Sequence, residues 1–107
     1  MLEQTYELPS TDKNVFTVYS IKPCPYCKKV KQLLKDKGEQ YNVINCNEYR
    51  KNNRDDFLKF INELTQTDHK TFPMVFHGTK FIGGFDKTSI YFEQLESIKN
   101  MKEVDDF

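Results

Sequence analysis

Cys24-Pro25-Tyr26-Cys27 constrains this chain more than any other stretch. An apolar, β-branched run, Val15-Phe16-Thr17-Val18-Tyr19-Ser20, precedes it, and the spacing predicts a strand buried on both faces. A lysine-rich run follows, with Val30, Leu33 and Leu34 at helical spacing. The motif therefore joins a strand to a helix. Pro25 suits the first helical position, where a missing N–H costs nothing. Cys24 then sits at the helix N-terminus, against unpaired N–H groups and the positive end of the dipole. That setting stabilises a thiolate, the nucleophilic form of cysteine. Cys27 lies one turn further in, near enough to close a disulfide with Cys24 and less exposed. One sulfur attacks and the other resolves.

Other uses of two cysteines fit less well. A structural zinc site usually needs four ligands. Here there is one pair, the separate Cys46, and His69 and His77 far downstream without ligand spacing, so no metal site is expected. A purely structural disulfide over so short a loop would stabilise little. A CxxC beside a βαβ pattern points to redox catalysis. Cys46 reads as a small core or edge residue, with a regulatory thiol as the alternative.

The remaining chain is read in order. Residues 1–13 form an N-terminal extension, a loose helix or a partly disordered segment, with Pro9-Ser10-Thr11-Asp12 as a turn or cap signal. The first helix is expected from Pro25 to Lys37, with Gly38 just past its end. Tyr41 to Cys46 predicts a second strand, parallel to the first through a right-handed crossover. Asn47 to Asn53 reads as a polar connection and Arg54 to Leu64 as a second helix, apolar at Phe57, Phe60, Ile61 and Leu64. Met74–His77 and Lys80–Ile82 predict a hairpin turning at Gly78-Thr79, and Gly83-Gly84 ends the sheet. A third helix carries Ile90, Tyr91, Leu95 and Ile98, with Asp86 as its cap. From about Asn100 a short acidic tail is expected. The order is βαβαββα in one α/β domain spanning residues 14–107.

Sixteen acidic residues balance sixteen basic ones, so charge gives no case for a nucleic-acid or anionic membrane partner. No apolar run is long enough to span a bilayer. The acidic N-terminal stretch resembles neither a secretory signal nor a basic transit peptide. Three cysteines, an odd count, argue against a secreted disulfide framework and favour a reducing cytoplasmic compartment.

Cys24-Pro25-Tyr26-Cys27, Thr71-Phe72-Pro73 and Gly83-Gly84-Phe85-Asp86 stand in the order and at the separations of a dithiol glutaredoxin of the thioredoxin superfamily. The chain resembles that family over roughly residues 14–99. The Gly-Gly-Phe-Asp form is similar to the small glutaredoxins of viruses and phages. The resemblance implies a thioredoxin fold, a four-stranded mixed sheet flanked by helices on both faces. It implies glutathione as the reductant and co-substrate, Cys24 as nucleophile and Cys27 as resolving thiol.

By position, Tyr26 would flank the glutathione sulfur and Pro73 would be the cis-proline facing the disulfide. Phe72 would offer its main chain to the cysteinyl unit. Lys70, beside Thr71, would meet the glycine carboxylate, with Lys22 a further basic candidate. Gly84, Phe85 and Asp86 would hold the γ-glutamyl end. Three positions depart from the family pattern. Ile21 stands where a lysine or arginine is common, Phe72 replaces the usual valine, and Lys87 stands where an aspartate often occurs.

The function implied is reduction of protein disulfides and glutathione mixed disulfides by a monomeric enzyme. Ribonucleotide reductase and glutathionylated proteins are both open as clients. The alternatives are a thioredoxin-like reductant recharged by a flavoprotein reductase, and an iron–sulfur carrier, which Pro25 disfavours by family analogy.

Overall fold

The computed structural model describes residues 6–104, with side chains through Ile98. Four strands form one sheet in the order β2-β1-β3-β4. They are β1 (Val15–Ser20), β2 (Gln40–Asn45), β3 (Met74–His77) and β4 (Lys80–Gly83). β1 pairs parallel to β2 and antiparallel to β3, and β3 pairs antiparallel to β4. Three helices complete it: α1 (Pro25–Asp36), α2 (Asn47–Thr65) and α3 (Phe85–Val104). The order is βαβαββα and the arrangement is the thioredoxin fold.

Strand alternation divides the core into two layers. Phe16 and Val18 of β1 and Val75 of β3 face α1 and α3, where they pack with Val30, Leu34 and Phe92. Tyr19, Ile44, Met74 and Phe76 face the other way, onto Phe57 and Ile61 of α2. Because β1 is central and covered on both sides, five of its six residues are buried. This buried strand leads, through residues 21–23, into the Cys24 motif.

The structure departs from the sequence reading in five places. α1 ends at Asp36 with Lys37 as its cap, and Gly38 follows with φ +70°, the left-handed conformation that favours glycine. β2 is shifted back by one residue at each end, so Cys46 leaves the strand and becomes the buried residue preceding α2. Residues 47–53 are not a loop. They form the first turns of α2, which breaks at Asn53 (φ −160°, ψ 87°). Asn53 Oδ1 accepts from the Asp56 N–H at 3.1 Å and caps the second segment, which is the helix the apolar spacing predicted. The first segment exists because Tyr49 packs on Phe57 and Tyr6, which overrides the polar local sequence.

Asp86 does not cap α3. Gly84 precedes the helix, its carbonyl accepting from Thr88 N (3.0 Å) and Thr88 Oγ1 (2.8 Å), and Asp86 lies in the first turn. α3 then continues to Val104, past the point where a tail was expected.

The fifth departure is the N-terminal extension. Residues 6–13 form an ordered strap without regular secondary structure, and residues 1–5 lie outside the described residues. Tyr6 packs against Tyr49, Phe57 and Phe60, and its hydroxyl donates to Asp56 Oδ2 at 2.5 Å. The buried Tyr19 hydroxyl donates to the Glu7 carbonyl at 2.6 Å, and Ser10 N–H donates to Thr17 Oγ1 at 3.1 Å. The strap ends under the hairpin turn. A Cβ on Gly78 (φ +60°) would lie 2.9 Å from Lys13 Cα, so only glycine fits there.

Candidate active site

β1 delivers the chain into Ile21-Lys22-Pro23, a loop pinned from outside. Lys22 N–H donates to Asn47 Oδ1 and Asn47 Nδ2 donates back to the Lys22 carbonyl, both at 3.0 Å. Cys24 follows as the N-cap of α1 in an extended conformation, with Pro25 at the first helical position. The Cys27 N–H donates to Cys24 Sγ at 3.1 Å. The two sulfurs are joined in a disulfide, with Cα atoms 5.2 Å apart. Cys24 is partly exposed and Cys27 is buried. The asymmetry leaves the Cys24 sulfur open to an incoming sulfur and keeps that of Cys27 shielded behind it.

The Phe72 carbonyl oxygen lies 3.8 Å from Cys24 Sγ, and the Phe72–Pro73 bond is cis, as expected. The Lys22–Pro23 bond is cis as well. The Phe72 ring stacks on Phe57 and lies under the Arg50 guanidinium, which holds this larger residue in the place of the family's valine. Beside it opens a groove of about 630 Å³ lined by Tyr26, Thr71, Phe72, Pro73, Gly84, Phe85, Asp86 and Lys87. Three separated stretches of sequence thus converge here. The Tyr26 ring is 54% exposed, 6.1 Å from Phe85, and lies under the Lys29 ammonium.

Two residues expected at the groove are not among those lining it. Lys70 ion-pairs with Asp68 at 3.6 Å, and Lys22 lines a separate depression together with both cysteines. The cation on the groove is Lys87, which in sequence reads only as a departure from the family aspartate. Its signal is positional, since it falls in the first turn of the helix that follows Gly83-Gly84. Arg50 carries no local signal in the sequence, because the polar stretch 47–53 around it reads as a loop.

Cys46 is fully buried, and burial pushes its thiol up to about 12, partly offset by the backbone hydrogen bond with Ser20. It belongs to the core layer under α2. His77 stacks on Phe16 and bonds Tyr91 Oη through Nδ1 at 2.6 Å. Among the described residues no group of three or more metal-ligating side chains converges.

A glutaredoxin family model matches residues 16–82, a span that holds the Cys24–Cys27 pair, the Thr71-Phe72-Pro73 turn and the sheet joining them. The chain belongs to the glutaredoxin family. It is 33% identical to a glutaredoxin of Ricinus communis over 104 residues, covering 96% of this chain and 95% of that one. It is 42% identical to a glutaredoxin of Vernicia fordii over 77 residues, covering 71% and 69%. A buckwheat glutaredoxin–glutathione complex is similar in structure, with a TM-score of 0.61 at 27% identity, covering 82% of this chain and 76% of that one. With its dithiol at the helix start, this glutaredoxin is a thiol–disulfide oxidoreductase.

Proposed function

We propose that this glutaredoxin uses glutathione to reduce glutathione mixed disulfides and protein disulfides. The observation that carries the reading is the groove running from Tyr26 to Asp86 beside Cys24, with the Phe72 carbonyl 3.8 Å from the Cys24 sulfur. An extended thiol tripeptide there would pair its cysteinyl unit with the Phe72 main chain and set its sulfur against Cys24. Its γ-glutamyl end would lie at the start of α3, where the dipole favours a carboxylate and Asp86 can take the ammonium. Lys87 is placed to meet an anionic group on the same groove. Lys70 would reach the glycine carboxylate only on leaving Asp68. The buckwheat protein, seen as a glutathione complex, supports this ligand.

The chemistry balances without a metal. Cys24 thiolate attacks the glutathionyl sulfur of a mixed disulfide, the client thiolate leaves and takes a proton from water, and Cys24 retains the glutathionyl group. A glutathione thiolate then attacks that sulfur, forming glutathione disulfide and regenerating Cys24. With a protein disulfide, Cys24 first binds one client sulfur. Cys27 displaces it, and two glutathiones reduce the resulting Cys24–Cys27 bond. The proposed compartment is the cytoplasm, where glutathione is kept reduced. The test is a coupled assay of a small glutathione mixed disulfide with glutathione and glutathione reductase, run beside thioredoxin reductase as the alternative donor. Turnover with thioredoxin reductase and none with glutathione and glutathione reductase would overturn the reading.

A further inference from the structure

The disulfide has a second side. Separate from the groove, a depression of about 350 Å³ is lined by Ile21, Lys22, Pro23, Cys24, Cys27, Lys28 and Lys31. It shares no lining residue with the groove, and the Cys24 sulfur stands between the two. Its floor is apolar and its rim carries three ammonium groups. The ion pairs among the described residues, Lys37–Glu96 and Lys70–Asp68, involve none of these three. The chain as a whole has no net charge, so any preference for anions arises from this local cluster and not from a global field. The floor is preformed, because Asn47 holds the Lys22 main chain by both its N–H and its carbonyl.

We propose that this depression docks an acidic stretch of the client polypeptide, adjoining the client's reactive cysteine, while glutathione uses the groove on the Phe72 side. The inference rests on the glutathione-linked reading above only for that division of the two sides. Charge complementarity commits the site to aspartates and glutamates, and the Ile21 and Pro23 walls to the apolar residues between them. Rim charges of this kind act mainly on association rate and weaken with salt.

The test needs no glutathione. Peptides bearing one cysteine as its mixed disulfide with thionitrobenzoate, flanked by acidic, neutral or basic residues, are mixed with the reduced protein. Cys24 thiolate attacks the peptide sulfur and thionitrobenzoate leaves as a coloured thiolate. Cys27 then closes the disulfide with Cys24 and releases the peptide thiolate, which is protonated by water. Each second-order rate is divided by that of dithiothreitol with the same peptide, which removes intrinsic reactivity. At low salt the acidic-to-basic ratio should be about tenfold, since each exposed ion pair contributes a factor of roughly 1.4 to 5.

Lys28→Glu/Lys31→Glu should bring the ratio to one or below, Lys28→Gln/Lys31→Gln should give an intermediate value, and Lys35→Glu, at the far end of α1, should keep the wild-type ratio. A wild-type ratio near one, or a ratio untouched by the paired substitutions, overturns the proposal. So does a flat ratio with altered sedimentation in the charge-reversed protein, which would mark a contact between copies. A tenfold ratio in a protein that fails the glutathione-coupled assay would sink the glutathione reading and leave the acidic docking site standing.

Discussion

The main-chain N–H of Cys27 points at the sulfur of Cys24 from 3.1 Å, across the first turn of α1. When the disulfide is reduced, that donor and the helix dipole act on whichever charge the Cys24 sulfur carries, and both favour the thiolate. Cys24 should therefore titrate below a free thiol. The pH dependence of its alkylation by iodoacetamide checks this, and a midpoint at or above about 8.5 would rule it out.

Cys27→Ser separates the two routes. Cys27 is buried and bonded to Cys24, and the proposed mechanism needs it only where a client sulfur must be displaced from Cys24. Turnover of a glutathione mixed disulfide should persist, and reduction of a protein disulfide should drop by at least about a hundredfold, the scale at which a lost catalytic group is felt. Cys24→Ser should abolish both. Parallel losses in Cys27→Ser would contradict the monothiol route.

Tyr6 closes the outer face of the layer under α2. Its ring touches three aromatic side chains and its hydroxyl reaches Asp56. Tyr6→Ala should cost about 2–3 kcal/mol, below the figure for a fully buried aromatic because the ring is only partly covered. Tyr6→Phe should cost about 1 kcal/mol for the lost hydrogen bond. Urea denaturation measures both.

Stability should fall as the solution becomes alkaline. Burial pushes the Cys46 thiol up to about 12 and, with the Asp56 hydrogen bond and charge adding to it, the Tyr6 hydroxyl up to about 12. Burial also raises Tyr19. Each is an acid whose neutral form the fold prefers, so the unfolded chain releases its proton first. The contribution of Cys46 is complete below about pH 8.5, the free-thiol value, and declines from there toward 12. Urea midpoints measured between pH 8 and 11 should fall, and Cys46→Ala should flatten the early part of that decline. An equal slope in the variant would exonerate Cys46.

β1, α1, the Met74–His77 strand and the three converging motifs were legible because each is a local signal. Those signals are alternation, helical spacing, a proline at a helix start and glycine pairs at turns. What escaped was decided by partners distant in sequence. Residues 47–53 read as a polar loop until Tyr49 meets Tyr6 and Phe57. The strap read as loose because its anchors, Thr17, Tyr19 and Asp56, lie 7 to 50 residues away. Lys70 and Lys22 read as groove cations by position. Asp68 and Asn47, neither predictable as a partner, draw one side chain and the other's main chain elsewhere.

The strap changes what counts as a removable piece. A fragment trimmed to the family-matched stretch, 16–82, would keep both cysteines and the Thr71-Phe72-Pro73 turn. It would lose the Glu7 carbonyl that receives the Tyr19 hydroxyl and the Phe92 side chain packed in the layer against α1. Recognition and folding thus have different footprints here. An expression tag or fusion joined at residue 14 would cut through a working seam of the core.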